Sequence, residues 1–246
     1  MGITMLFNMT CFAAQENDIV AVMYHDISNE SVKHNNYRVS PETLSEDIAE
    51  FKKQGYTFVK ASEIDEIEDM EADKFVLLTF DDGYESFYTE IFPILQKHNV
   101  TATFYVITSR IGKSGHLTEK QIKELDSSGL VEIGPHSHFV HLNSAETIQK
   151  LYNGENTRPI AEADWLRSAD ILAKIIDKPI TSLSYPNGIY SMELDKSLRE
   201  KLGLKTTLST DYGTVTNINR PLERMNRDLE YTSEEFVQKV EKEFCK

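Results

Sequence analysis

Four strand-length apolar runs in this sequence end in ionisable or turn-forming residues. The run at 19–24 ends in His25-Asp26, and the run at 75–80 ends in Asp81-Asp82-Gly83. The run at 130–133 leads into His136-Ser137-His138, with His141 just beyond, and the run at 182–185 closes in Tyr185-Pro186-Asn187-Gly188. Two histidines and a carboxylate make a catalytic metal site with one coordination position left for water. Neutral imidazole with carboxylate suits Zn(II), and also Fe(II), Co(II) or Ni(II). Zn(II) lowers the pKa of water to about 7, so hydroxide becomes available at neutral pH. A second carboxylate nearby could accept the proton of that water, and a histidine across the site could protonate a leaving amine. Those parts together hydrolyse an amide. Each fragment alone has a plainer reading. Asp-Asp-Gly is a common turn with a helix cap, Tyr-Pro-Asn-Gly is a common tight turn, and a single histidine is more often structural than ligating. Convergence of all four on one rim favours the functional reading.

That convergence requires a particular scaffold. In parallel α/β folds, sites collect at the carboxyl ends of the strands. Between the apolar runs lie segments of helical period. Ser40 as N-cap and Pro41 at the first position open a helix that ends near Gly55, with Leu44, Ile48 and Phe51 on one face. Residues 86–98 carry Phe87, Ile91, Ile94 and Leu95 at helical spacing, and Pro93 should kink or restart that helix. Thr118 with Gln121 has capping-box spacing. Further helices are predicted around Trp165, Leu172 and Ile176, around Leu194, Leu198 and Leu202, and after a cap at Ser233. Strands are also predicted at 101–107 and 205–209, while the polar stretch 143–164 has no clear pattern. The alternation implies a mainly parallel sheet wrapped by helices, either a (β/α) barrel or an open doubly wound sheet. No glycine-rich loop follows the first strand, which disfavours a dinucleotide fold.

Composition narrows the class. The 246 residues suffice for one large domain, and 40% hydrophobic content is ordinary for a globular chain. A formal net charge of -14 argues against nucleic acid and anionic membrane surfaces as partners. No stable protein partner is implied. Residues 1–14 are apolar, with small residues near Ala14, and read as a signal peptide or its remnant, although no Lys or Arg precedes the apolar run. Residues 15–246 then form the domain, placed outside the cell or at its surface. Cleavage would remove Cys11 and leave only Cys245, so no intrachain disulfide is expected.

Thr79-Phe80-Asp81-Asp82-Gly83-Tyr84 resembles the TFDDG motif of NodB-type polysaccharide deacetylases, carbohydrate esterase family four. His136 to His141 resembles the family's histidine motif, although its histidines are five apart here rather than the commoner four. That spacing and the N-terminal Tyr24-His25-Asp26 are similar to the branch acting on poly-β-1,6-N-acetylglucosamine. The resemblance implies a distorted or incomplete (β/α) barrel, one divalent metal ion with Zn(II) foremost, and a polysaccharide substrate. It implies Asp81 as general base and Asp82, His136 and His141 as metal ligands. His138, between the ligands, is expected to support them or to be exposed. Tyr185-Pro186 resembles the family's Pro-Tyr loop, in which a backbone N–H stabilises the oxyanion, with Asn187 in place of the usual Tyr. Most members have a catalytic His near the C-terminus, but none follows His141 here. In the biofilm-polymer branch the N-terminal Tyr-His supplies the acid, which points to His25. Two family features are absent. The Arg that steadies the base does not precede the Pro-Tyr-like motif, leaving Arg224 or Arg227 to substitute, and the late Asp-Trp element is missing, leaving Asp211 to orient His25. These departures keep a second reading open, a carbohydrate-binding protein that retains the metal but has lost catalysis.

Overall fold

A computed structural model describes residues 18–28 and 38–245. The proposed leader at 1–14 and Cys11 lie outside them. Among the described residues, six parallel strands form the main sheet: β1 Asp18–Tyr24, β2 Thr57–Phe58, β3 Lys74–Phe80, β4 Ala102–Val106, β5 Val131–Pro135 and β8 Met225–Asn226. Five of them run in the order β5-β4-β3-β1-β8, and β2 also pairs β3. A second parallel pair, β6 (Ser182–Ser184) and β7 (Thr206–Leu208), stands apart. It bridges back to the main sheet on both sides. Leu222 N–H donates to the Thr207 carbonyl at 2.8 Å, and the Tyr105 hydroxyl of β4 donates to Ser182 Oγ at 3.1 Å. The result is a distorted, incompletely hydrogen-bonded (β/α) barrel, as the sequence implied.

Side chains alternate across these strands, and the alternation separates two cores. On β1 and β3, Val20, Val22, Tyr24, Val76, Leu78 and Phe80 face outward and pack with the helices. Ile19, Ala21, Phe75 and Leu77 face inward with Tyr105, Leu208 and Leu222. A 3₁₀ segment, Ala61–Asp69, supplies Ala61, Ile64 and Ile67 to the inward cluster. Continued by the period of two, the inner face of β3 passes from Phe75 and Leu77 to Thr79 and then Asp81. The barrel interior therefore turns polar where the strands end.

One glycine permits the second pair to approach the sheet. A Cβ on Gly134 of β5 would lie 2.8 Å from the Ser182 carbonyl and 2.7 Å from the Tyr105 ring. Only a residue without a side chain fits there.

Among the described residues seven α-helices surround the strands: α1 Pro41–Lys53, α2 Phe92–His98, α3 Glu119–Ser127, α4 Ala145–Asn153, α5 Arg158–Ile176, α6 Met192–Leu202 and α7 Ser233–Glu243. Ser40 caps α1 by accepting from the Thr43 N–H, and Thr118 with Gln121 forms the expected capping box on α3. Pro93 restarts rather than kinks its helix, because a π turn at Phe87–Ile91 gives way to α2 with Pro93 in its first turn. The cap of α7 is Thr232, not Ser233, since Thr232 Oγ1 accepts from the Glu235 N–H and Glu235 answers. The unpatterned stretch 143–164 is helical through α4 and the start of α5, capped by Ser144. Among the described residues no helix is long and apolar enough to cross a membrane.

Candidate metal centre and its rim

The four sequence-predicted strand ends do meet on one rim. Asp82 and Gly83 leave β3 with φ of 83° and 76°. A Cβ on Gly83 would lie 2.9 Å from Val106 Cγ1 and 3.3 Å from Val106 Cα, so the tight turn after β3 needs glycine. Asp82, a non-glycine residue in the left-handed region, carries backbone strain at a functional position. From β5, the His136 N–H extends the ladder to the Val106 carbonyl at 2.9 Å. His141 arrives on a single 3₁₀ turn, Val140–Leu142.

Asp82 Oδ1 lies 3.1 Å from His141 Nε2 and 3.7 Å from His136 Nε2, and the two imidazole centroids are 4.8 Å apart. Ligand atoms bound tetrahedrally at 2.0–2.1 Å sit about 3.4 Å from one another. The spacing thus fits one divalent ion. Asp82 Oδ1 is buried and makes no hydrogen bond. His136 Nδ1 lies 2.7 Å from the Ser184 carbonyl of β6, which can only accept, so that nitrogen carries the proton and Nε2 turns its lone pair toward Asp82. Burial pushes the His136 pKa down to about 4, against the pull of Asp81 and Asp82. Burial alone would push the Asp82 pKa up, but contact with His141 and the charges of His136 and His25 hold it well below the carboxylate range. A neutral imidazole and an ionised carboxylate are what a cation requires. Asp82, His136 and His141 form a His-His-Asp cluster able to coordinate a divalent metal.

Asp81 stands beside this cluster, its Oδ2 4.0 Å from His136 Nε2. Its partner is Arg224, which precedes β8 and is fully buried. The guanidinium binds it with both ends, Nη1 to Oδ1 at 3.0 Å and Nη2 to Oδ2 at 2.8 Å. Ser184 Oγ donates to Oδ2 at 3.2 Å, and Arg224 Nε is fixed on the Ser209 carbonyl at 2.6 Å. Burial raises the Asp81 pKa, but Arg224, His136 and His25 together hold it below its ordinary value. Of the two substitutes considered for the missing Arg, Arg224 takes the position. Arg227 instead binds Asp47 of α1 at 2.8 Å, where the Tyr24 hydroxyl also donates at 3.0 Å.

His25 closes β1, partly exposed, and its charge acts on both Asp81 and Asp82. The Asp211 carboxylate accepts a hydrogen bond from the Tyr190 hydroxyl at 3.4 Å. His138 is buried, with Nδ1 2.8 Å from Thr108 Oγ1, as a supporting rather than an exposed residue. The Tyr185 side chain points away from the rim. It is buried against Trp165 at 5.3 Å between centroids, and its hydroxyl donates to Asp195. Any part of Tyr185 in substrate binding is therefore limited to its backbone. Pro186 is buried, while Asn187 is exposed with φ of 53°. Sequence reasoning missed Ser184, whose carbonyl and hydroxyl serve two different site residues. Its position at the end of a strand was the available signal.

Comparison with known proteins agrees with this geometry. The polysaccharide deacetylase family profile matches residues 68–207, more than half of the chain. The chain belongs to the polysaccharide deacetylase family. It is 29% identical over 198 residues to YxkH of Bacillus subtilis, which is named for polysaccharide deacetylase activity, and the alignment covers 79% of this chain and 65% of that protein. The chain therefore spans less than two thirds of that relative's length. It is 27% identical over 224 residues to the poly-beta-1,6-N-acetyl-D-glucosamine N-deacetylase of Staphylococcus aureus, covering 82% of this chain and 75% of that one. In fold it is similar to the Streptococcus pyogenes deacetylase PplD, with a TM-score of 0.75, 24% identity, and 92% and 99% of the two chains covered. IcaB from Ammonifex degensii gives a TM-score of 0.75, 23% identity, and 91% and 97% coverage. The fold is shared with these solved deacetylases.

Proposed function

We propose that this protein removes N-acetyl groups from a polymer of N-acetylglucosamine, with poly-β-1,6-N-acetylglucosamine the leading substrate and peptidoglycan or chitin the alternatives. One observation carries the reading: a carboxylate paired at both oxygens with a buried guanidinium sits beside a three-residue cluster able to hold a metal. The Staphylococcus aureus relative named for this polymer supports the substrate choice. The histidine at the end of β1 supports the same branch.

Asp82, His136 and His141 would hold the ion, Zn(II) first, with Co(II), Ni(II) or Fe(II) as substitutes. The ion supplies Lewis-acid polarisation and a lowered pKa for water. Asp81 accepts the proton of the attacking water. Its ionised state, set by Arg224, makes it an acceptor across the neutral pH range. His25 donates a proton to the amide nitrogen, which leaves readily only when protonated. In the exposed turn the Asn187 N–H would be the donor to the developing oxyanion, because the Gly188 and Ile189 N–H groups already donate to the Tyr185 and Pro186 carbonyls. Arg224 disfavours the reading of an inactive binding protein, because the base retains a cationic partner. The reading places the protein at the cell surface, with residues 1–14 as its leader and 15–246 as the deacetylase domain. N-terminal sequencing of the mature protein tests that placement.

Acetate release from poly-β-1,6-N-acetylglucosamine, chitin and peptidoglycan oligosaccharides tests the function. Release that stops with chelator and returns with Zn(II) is expected. No release from any of the three would reject the activity. His25→Ala should slow amide hydrolysis far more than hydrolysis of an ester with a good leaving group. Equal slowing of both would reject protonation of the leaving group by His25.

A further inference from the structure

The loop joining the two histidines of the metal cluster turns three successive backbone N–H groups onto one carboxylate. Asp164 Oδ2 accepts from the N–H of His138 at 2.8 Å and of Val140 at 3.4 Å, and Oδ1 accepts from the N–H of Phe139 at 2.8 Å. These three donors have left the β5 ladder and need acceptors elsewhere. A charged acceptor binds them more strongly than a neutral one.

Asp164 does not act alone on its helix. Asp164, Arg167 and Ser168 lie at i, i+3 and i+4 on α5, and so share one face. The Arg167 guanidinium lies 5.7 Å from the centre of the Phe139 ring. Ser168 Oγ is 3.0 Å from Thr108 Oγ1, which is 2.8 Å from His138 Nδ1. The loop requires such support, because Ser137 has φ of 67°, a conformation that a side-chain-bearing residue disfavours. Ser137 Oγ also accepts from the His141 N–H at 3.0 Å, which ties the two ends of the loop together.

We infer that Asp164 is a positioning residue for the metal centre. Its carboxylate fixes the backbone between His136 and His141, and so sets the separation of their Nε2 atoms before any ion arrives. The inference rests on reading Asp82, His136 and His141 as the ligands. Its consequence is affinity: an apo protein with this carboxylate presents both imidazoles already aimed, and one without it must order the loop when the ion binds.

The test is Co(II) binding to the metal-free full-length protein, measured by competition with a chromophoric chelator and by the visible d–d spectrum. Asp164→Asn keeps the side chain's size but replaces one acceptor with an NH₂ group that faces backbone donors. Co(II) affinity should fall about 10–100-fold, the usual effect of losing a group that orients a ligand, and the d–d bands should shift. Far-UV circular dichroism should stay that of the wild type. His136→Ala, which removes a ligand, provides the reference for lost binding. An Asp164→Asn protein that binds Co(II) within twofold of wild type, with an unchanged spectrum, overturns the inference even if its melting temperature falls. Should Asp164→Asn fail to fold, Asp164→Ser, which retains an oxygen acceptor without the opposing NH₂, is judged by the same two readouts. Failure of the wild type itself to bind Co(II) would overturn the metal reading, and this inference with it.

Discussion

A carboxylate that is 2% exposed and a guanidinium that is 0% exposed face each other at the centre of this site. Removing one partner of such a pair leaves a buried charge unmatched, at about 3–5 kcal/mol. Arg224→Met is therefore expected to lose about that much stability. It should also release the Asp81 pKa upward, because burial then acts with one fewer opposing charge. The acid limb of kcat/KM should move to higher pH in this variant, and an unmoved limb would show that Arg224 does not set the charge of Asp81. Asp81→Asn should keep the metal yet cut turnover by about 10²–10⁴-fold, the range for general acid–base catalysis, and near-normal turnover would reject the role. A second pH effect belongs to His136. Its pKa falls from 6.5 to about 4 on folding, so between those values the unfolded chain binds a proton that the folded chain does not. The metal-free protein should thus have its full stability above about pH 6.5 and lose it as pH drops toward 4. The depressed Asp81 and Asp82 add to the loss only below about 3.8. Urea midpoints at pH 7 and pH 5 should differ in wild type and converge in His136→Asn. Equal slopes in the two proteins would contradict the assignment.

At the scale of elements, the barrel depends on a seam rather than a ladder. The β6–β7 pair meets β5 at Gly134 and β4 at Tyr105, both against Ser182. Gly134→Ala forces a methyl into the Ser182 carbonyl and should cost about 1–3 kcal/mol, the range for overpacking. The Ser184 carbonyl would also move from His136 Nδ1, so metal affinity should fall together with stability. Titration of the metal into this variant checks the coupling, and lost stability with wild-type affinity would break it. The main strands and most helices were legible in the sequence because their apolar residues follow periods of two or 3.6. Other parts were not. Strand β8 has two residues and is flanked by Arg224 and Arg227, so its local pattern is that of an exposed loop although both arginines are buried. The segment Ala61–Asp69 carries its apolar residues at a period of three among acidic ones, matching neither template. Asp164 serves backbone N–H groups, which leave no mark in the identities of the residues that supply them. The metal residues were legible because a DDG turn and paired histidines are specific in type and spacing. The side-chain direction of Tyr185 was not, because its neighbour Trp165 is reached only through the fold.

Across the whole molecule, the two cores and the site share one set of strands, so a change that loosens the barrel is expected to disturb the site. Strand β8 lies beside β1 in space, although 200 residues separate Met225 from the neighbourhood of His25 in sequence. The bond between Arg224 and Asp81 spans 143 residues. Contacts of that separation form slowly, because the loop they close must first lose its freedom. A chain emerging from its amino end displays Asp81, Asp82 and both metal histidines long before residue 224 exists. Biosynthesis therefore passes through a stage in which the ligands are present and the base has no cationic partner. A fragment ending at Glu223 is expected to retain helical signal but release no acetate, and a separate peptide carrying residues 224–246 should restore release on mixing. A fully active fragment would show that the final strand is dispensable. The order of translation thus leaves Asp81 without its guanidinium until residue 224 has been made.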